Sequence, residues 1–272
     1  MWQSVKTLFK KAGKGGDNPI LPDELPRFVA FPFVLILNKI KCIHPEHLVF
    51  AGLLLKIVAA GMIFLGEHML QNEAVFAIFL LFILLDYTDG MLARVSNRVS
   101  LHGGLLDLAS DFIGAMLIMF AMAYHLGDGD LRWALGIFLA LLLIYFIPLE
   151  VFAFESYRAK NQSAKSYDEE KAGFYSGFLR EDENGANTKF LKVFYYNSWG
   201  SLFVTTEKLF RFENSAISHK ALCFYSLTSV GLSMLVMATL ILFQVNLAVY
   251  LAYQLVLFAV ITLHHYTNRS VC

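Results

Sequence analysis

Apolar residues run along this chain in blocks about as long as a bilayer is thick, separated by short polar turns and one long polar stretch. A helix crossing a membrane needs about 20 such residues. Blocks near that length occupy 48–66, 74–92, 105–125, 133–154, 222–243 and 245–264. The pattern predicts an all-α integral membrane protein with six transmembrane helices. The second and third blocks each carry two aspartates, and on hydropathy alone they fall short of a span. The stretch 28–38 is 11 residues long and contains Pro32, so it is too short to cross. It is expected to form an N-terminal interfacial amphipathic helix lying on the membrane.

These blocks divide the chain into four parts. Residues 1–47 form a cytoplasmic N-terminus with the interfacial helix, and 48–154 hold the first four spans. Residues 155–220 form a polar loop, and 221–272 hold the last two spans and the C-terminus. Within the loop, 180–187 (Arg-Glu-Asp-Glu-Asn-Gly-Ala-Asn) is a solvated turn. The segment 188–212 mixes aromatic residues with Lys and is expected at the membrane surface. The loop as a whole reads either as part of an acceptor or partner surface or as a partly ordered excursion.

Lys and Arg set the orientation. With the N-terminus in the cytoplasm, every Lys and Arg falls on the cytoplasmic side except Arg132, outside, and Lys56, within the first span. The outer loops 67–73 and 127–131 are acidic. Composition agrees with a membrane protein: 57% of residues are hydrophobic, 25 of them Phe, and mean hydropathy is +0.56. The formal net charge of zero gives no case for nucleic acid. Cys42, Cys223 and Cys272 lie far apart without metal-ligand spacing. The first 18 residues are Lys- and Gly-rich, and no cleavable signal peptide is expected.

The chemistry concentrates between Asp86 and Asp111. Asp86, Asp89, Gly90 and Ala93 recur at three and four residues and share one face of a helix. Gly103, Asp107 and Asp111 recur at four and share another. Only 95–102 separates the two sets, so an antiparallel helix pair would turn four carboxylates toward one another. Charge inside apolar sequence is expensive and marks function, and clustered like charges need compensation. Oxygen-only ligands suit a hard cation such as Mg²⁺, Mn²⁺ or Ca²⁺. Two divalent ions would offset four negative charges. Gly90 and Gly103 leave room for a ligand or a neighbouring helix, and Arg94 is a permanent cation suited to phosphate oxygens.

These residues match, at all eight positions over 26 residues, the pattern D-x2-D-G-x2-A-R-x8-G-x3-D-x3-D. The chain thereby resembles the CDP-alcohol phosphotransferase family, whose members move a phosphoalcohol unit from a CDP-linked donor to an acceptor hydroxyl and release CMP. The resemblance implies that Asp86, Asp89, Asp107 and Asp111 bind two divalent cations, Mg²⁺ or Mn²⁺, and that Asp111 is the general base. It implies nucleotide contacts from Asp89, Gly90, Ala93, Arg94, Gly103 and Asp107. Chain length and six spans resemble the phosphatidyltransferase branch, with CDP-diacylglycerol as donor and a small alcohol as acceptor. The enzyme would sit among membrane lipids as a multi-pass protein with its active site facing the cytoplasm, by default in a bacterial inner membrane. Homodimers are common in the family. One departure stands at Glu46, after Pro45, where many members carry asparagine.

The remaining candidates are weaker. Arg158, Lys160 and Glu150 are the expected acceptor-binding residues; Glu150 and Glu155 read equally well as ion-pair partners of Arg158 and Lys160. Lys56 either snorkels or pairs with a motif carboxylate. His264 and His265 read as an interfacial terminus rather than a metal site, since adjacent residues point to different faces of a helix. His102, directly before Gly103, reads either as a substrate contact or as a turn histidine at the membrane surface, which needs no such role. Competing readings are a CDP-alcohol donor with a diacylglycerol acceptor, a soluble CDP-linked donor, a catalytically retired scaffold, and a divalent-metal or proton-coupled transporter. A transporter predicts acidic residues spread across several helices, whereas here they cluster at one end.

Overall fold

The computed structural model describes residues 7–9, 11–12, 21–66, 69–142, 144, 230–243 and 248–269. Among these the only regular structure is helix. In chain order the helices are α1 (Leu21–Leu37), α2 (Pro45–Leu65), α3 (Met69–Val95), α4 (Leu101–Leu126), α5 (Leu131–Leu142), α6 (Val230–Leu242) and α7 (Ala248–Arg269). Three are long and apolar enough to cross a membrane, within Pro45–Leu65, Asn72–Val95 and His102–Leu126. Their outward faces carry large apolar side chains such as Phe50, Leu54, Leu80, Leu81, Ile113 and Leu117, a surface suited to lipid and costly in water.

The two aspartate-bearing helices qualify as spans, contrary to the expectation that hydropathy alone would leave them short. Both are longer than expected, and the unbroken apolar run within each outweighs its two aspartates. Helix α3 already begins at Met69, so most of the expected outer loop 67–73 is helical. Helix α2 starts at Pro45, where proline fits the first turn because its missing N–H has no intrahelical partner there. Helix α1 is 17 residues long and runs through Pro26 and Pro32, well beyond the expected 28–38. Its Ala30, Phe31 and Val34 are buried while Phe28, Val29, Phe33 and Ile36 are exposed, so the packed and the outward faces of this stretch are both apolar. The expected fourth, fifth and sixth spans are described only in part, as the apolar helical stretches Leu131–Leu142, Ser233–Leu242 and Ala248–Leu263. The loop 155–220, its segment 188–212, and Glu150, Arg158 and Lys160 lie outside the described residues.

The turn between α3 and α4 is closed by local chemistry. Asn97 takes a left-handed conformation at φ 57°. The Arg98 amide reaches back to the Ala93 carbonyl at 2.8 Å and the Asn97 amide to Arg94 at 3.4 Å, which ends the helix. Ser100 restarts the chain as a helix by accepting the Gly103 amide on its Oγ at 2.9 Å. Arg98 then ties the turn to the loop before α2, donating to the Ile43 carbonyl at 3.0 Å and the Lys41 carbonyl at 3.3 Å. The end of α3 and the starts of α2 and α4 are thereby gathered at one end of the bundle.

Close backbone packing runs from α2 to both motif helices, which approach each other less closely than each approaches α2. Helix α3 also packs on α1 and α6. One apolar cluster joins Ala59, Ala60 and Ile63 of α2 to Phe79 and Phe82 of α3, Ile118 and Met122 of α4, and Met234 and Met237 of α6. A second joins Ala30, Phe31 and Val34 of α1 to Met91, Leu92 and Val95 at the end of α3. The motif aspartates of α3 fall between these two clusters. Van der Waals packing of these side chains, which is what joins helices surrounded by lipid, therefore clamps α3 on both sides of its polar segment.

Candidate functional site

Helix rise places the site well inside the bundle. At about 1.5 Å per residue, Asp107 lies about 9 Å and Asp111 about 15 Å along α4 from its start. Asp86 lies about 13 Å back along α3 from its end at Val95. The two helices bring three carboxylates together: one oxygen each of Asp86, Asp107 and Asp111, all within 4.8 Å of one another. All three side chains are half-buried, open enough to receive an ion from solution.

Asp89 is not in that group. It is 4% exposed, and its Oδ1 accepts the Gly90 amide. Three residues along a helix turn through about 300°, so Asp89 stands to one side of Asp86 even though both belong to the polar face. Gly90 has a steric reason to lack a side chain, since a Cβ there would lie 3.3 Å from a terminal nitrogen of Arg94. The Arg94 guanidinium lies against that bare backbone and donates through Nε to the Ala12 carbonyl at 2.6 Å. Ala93 is partly buried beside it. At the start of α4, a Cβ on Gly103 would meet Ser100 Oγ at 3.1 Å and Glu46 Oε1 at 3.5 Å. The glutamate that departs from the family's usual asparagine thus abuts the glycine of the motif.

Lys56 of α2 donates to Asp111 Oδ1 at 2.5 Å. Internal pairing with a motif carboxylate was one of the two structural readings of this lysine, and that is the arrangement found. Its side chain is 6% exposed against 20% for Asp111. The Nζ also lies 5.6 Å from the centroid of the Phe82 ring. Phe82 is one helical turn deeper than Asp86, so lysine and phenylalanine together close the inner end of the carboxylate group.

Sequence reasoning missed Gly114, whose ideal Cβ would lie 2.3 Å from Lys56 Cδ. A single glycine in an apolar run gives no signal of the side chain that crosses it. It also missed Lys11, which donates to the Val95 carbonyl at 2.9 Å at the end of α3.

The donor set fits a hard divalent cation, with carboxylate oxygens only, drawn from two helices and within coordinating reach of one point. Such a group can bind an ion, and through it the phosphate oxygens of a substrate. No curated protein matches the chain. The family model described as CDP-alcohol phosphatidyltransferase matches residues 42–173, a range that holds α2, α3, α4 and the whole aspartate motif. Residues 42–173 therefore carry a CDP-alcohol phosphatidyltransferase domain, one whose family consists of phosphotransferases acting on a CDP-alcohol donor and an alcohol acceptor.

Proposed function

We propose that this protein transfers a phosphatidyl group from CDP-diacylglycerol to the hydroxyl of a small alcohol and releases CMP. The observation that carries the reading is the convergence of Asp86, Asp107 and Asp111 within the matched domain. In this reading Asp86, Asp89, Asp107 and Asp111 would hold two divalent cations, Mg²⁺ or Mn²⁺. Bound there, the ions neutralise the donor diphosphate and the charge that develops as its anhydride bond breaks.

The chain's own residues supply the rest. Arg94 offers its terminal nitrogens to a phosphate or ribose oxygen, its Nε already engaged by Ala12. Gly90 and Gly103 keep the helix surfaces low where the nucleotide lies, and Ala93, Asp89 and Asp107 line the same pocket. Asp111 takes the proton of the acceptor hydroxyl, a role worth about 10²–10⁴-fold in rate. The acceptor oxygen forms a bond to phosphorus as the bond to CMP breaks. Arg158, Lys160 and Glu150 are assigned to the acceptor. The excess of Lys and Arg near the motif end supports a site open to the cytoplasm in a six-span membrane protein.

The test is CMP release by purified protein in mixed micelles with CDP-diacylglycerol and Mn²⁺ or Mg²⁺. Serine, inositol, glycerol 3-phosphate, inositol phosphate and diacylglycerol serve as acceptors, with CDP-choline and CDP-ethanolamine as alternative donors. The expected result is metal-dependent CMP release from CDP-diacylglycerol, abolished in Asp111→Asn. Release only with CDP-choline or CDP-ethanolamine would reassign the donor, and absence of both CDP and metal binding would overturn the reading.

A further inference from the structure

Lys56 is the one charged residue in the interior of α2, about 16 Å along the helix from its start. An ammonium at that depth is costly unless it is paired and used. Three features build a seat for it. Gly114 opens a notch on α4, through which the lysine stem passes so closely that no Cβ fits. The Phe82 ring flanks the ammonium. Asp111 receives its proton at 2.5 Å. The seat therefore draws on all three spanning helices.

Asp111 is also one of the three carboxylates whose oxygens converge. The same side chain thus faces a fixed cation on one side and the ion position on the other. We propose that Lys56 is a tethered cation that competes with a divalent ion for Asp111. It holds the carboxylate in place before the ion binds and yields part of it when the ion arrives. This rests on the reading of Asp86, Asp107 and Asp111 as ion ligands. It makes Lys56 a positioning residue whose charge sets how tightly the site holds metal, so that the ion binds strongly only when a diphosphate substrate adds negative charge.

Two neutral substitutions test it in the full-length protein. Lys56→Met keeps the length of the stem, and Lys56→Gln keeps a hydrogen-bond donor should the methionine variant not fold. Free Mn²⁺ is titrated by electron paramagnetic resonance in detergent micelles without nucleotide, and thermal unfolding is followed with chelator and with Mn²⁺. Removing the charge should tighten Mn²⁺ binding by at least about tenfold, lower the midpoint in chelator and enlarge the upward shift on adding Mn²⁺. A lysine that only stabilises the fold would lower the midpoint and leave the affinity unchanged or weaker, and that result overturns the proposal. Wild-type protein that binds Mn²⁺, with binding lost in Asp86→Asn, upholds the ion reading whichever way the lysine variants fall. No Mn²⁺ binding by wild type or either variant overturns both.

Discussion

The passage of the Lys56 stem over Gly114 predicts the effect of a single methyl group. In Gly114→Ala the new Cβ would lie 2.3 Å from Lys56 Cδ and 3.1 Å from its Cβ and Cγ. Carbon atoms pack at about 3.5–4.0 Å, so the stem must retreat by more than about 1 Å. Its Cβ is fixed to α2, and the retreat cannot be taken up at the flexible tip alone. Overpacking of this kind costs about 1–3 kcal/mol. Replacing glycine by alanine inside a helix returns about 0.5–1 kcal/mol. The net loss in the wild-type background is therefore about 0–2.5 kcal/mol, and larger if Nζ leaves Asp111, since stripping a buried charge of its partner costs about 3–5 kcal/mol. With Lys56→Ala in place the clash with Cγ and Cδ is gone and only the Cβ remains close, at 3.1 Å. The gain of about 0.5–1 kcal/mol from replacing a helical glycine is then set against that one residual contact, and Gly114→Ala should be close to neutral. The two substitutions should then show a coupling of about 0.5–2.5 kcal/mol, the part of the overpacking cost that comes from the stem beyond Cβ. Reversible unfolding in mixed micelles, titrated with SDS and followed by circular dichroism, measures all four proteins of the cycle. An equal effect of Gly114→Ala in both backgrounds would show that the lysine stem does not occupy the notch.

The turn at the motif makes further predictions in the same assay. Ser100→Ala removes the cap on α4 and should cost about 1 kcal/mol, whereas no loss would mean that the Gly103 amide finds another acceptor. Asn97→Val forces a β-branched residue into the left-handed region and should cost at least about 1–2 kcal/mol, while Asn97→Gly should be neutral or slightly stabilising; equal stability of the two variants would refute the left-handed turn. For activity, chelation with EDTA should abolish CMP release, and added Mn²⁺ or Mg²⁺ should restore it. Release that persists in chelator would refute the ion reading while leaving the match of residues 42–173 intact.

How much of this was legible in the sequence follows the range of each interaction. The motif was legible because its residue types and spacings are set within two helices. Helix geometry alone places Asp86 against one partner face, and Asp107 and Asp111 against the other. The turn was legible in outline, since Asn97 and Ser100 are residues that stop and start helices. Helix ends were less so. α1 runs through Pro26 and Pro32 and well beyond the expected 28–38, with buried Ala30, Phe31 and Val34 holding it against α3. The contacts over Arg94 and Val95 were out of reach, because they join residues 82 and 84 positions apart through backbone carbonyls, which any residue type supplies.

Lys56 shows where local and long-range information meet. Its cost in an apolar helix marks it as paired, and four carboxylates elsewhere in the chain mark a shortage of positive charge. What the sequence does not carry is the glycine opposite, which decides which carboxylate the lysine reaches. With that notch, Lys56 meets Asp111 at the inner end of the site while Arg94 sits at the outer end over Gly90. The carboxylates are therefore flanked by one fixed cation below and one above, and the space left between them is where mobile positive charge is still required. Neutralising Lys56 should make that requirement stronger, which is why metal affinity reports on the lysine more directly than activity does.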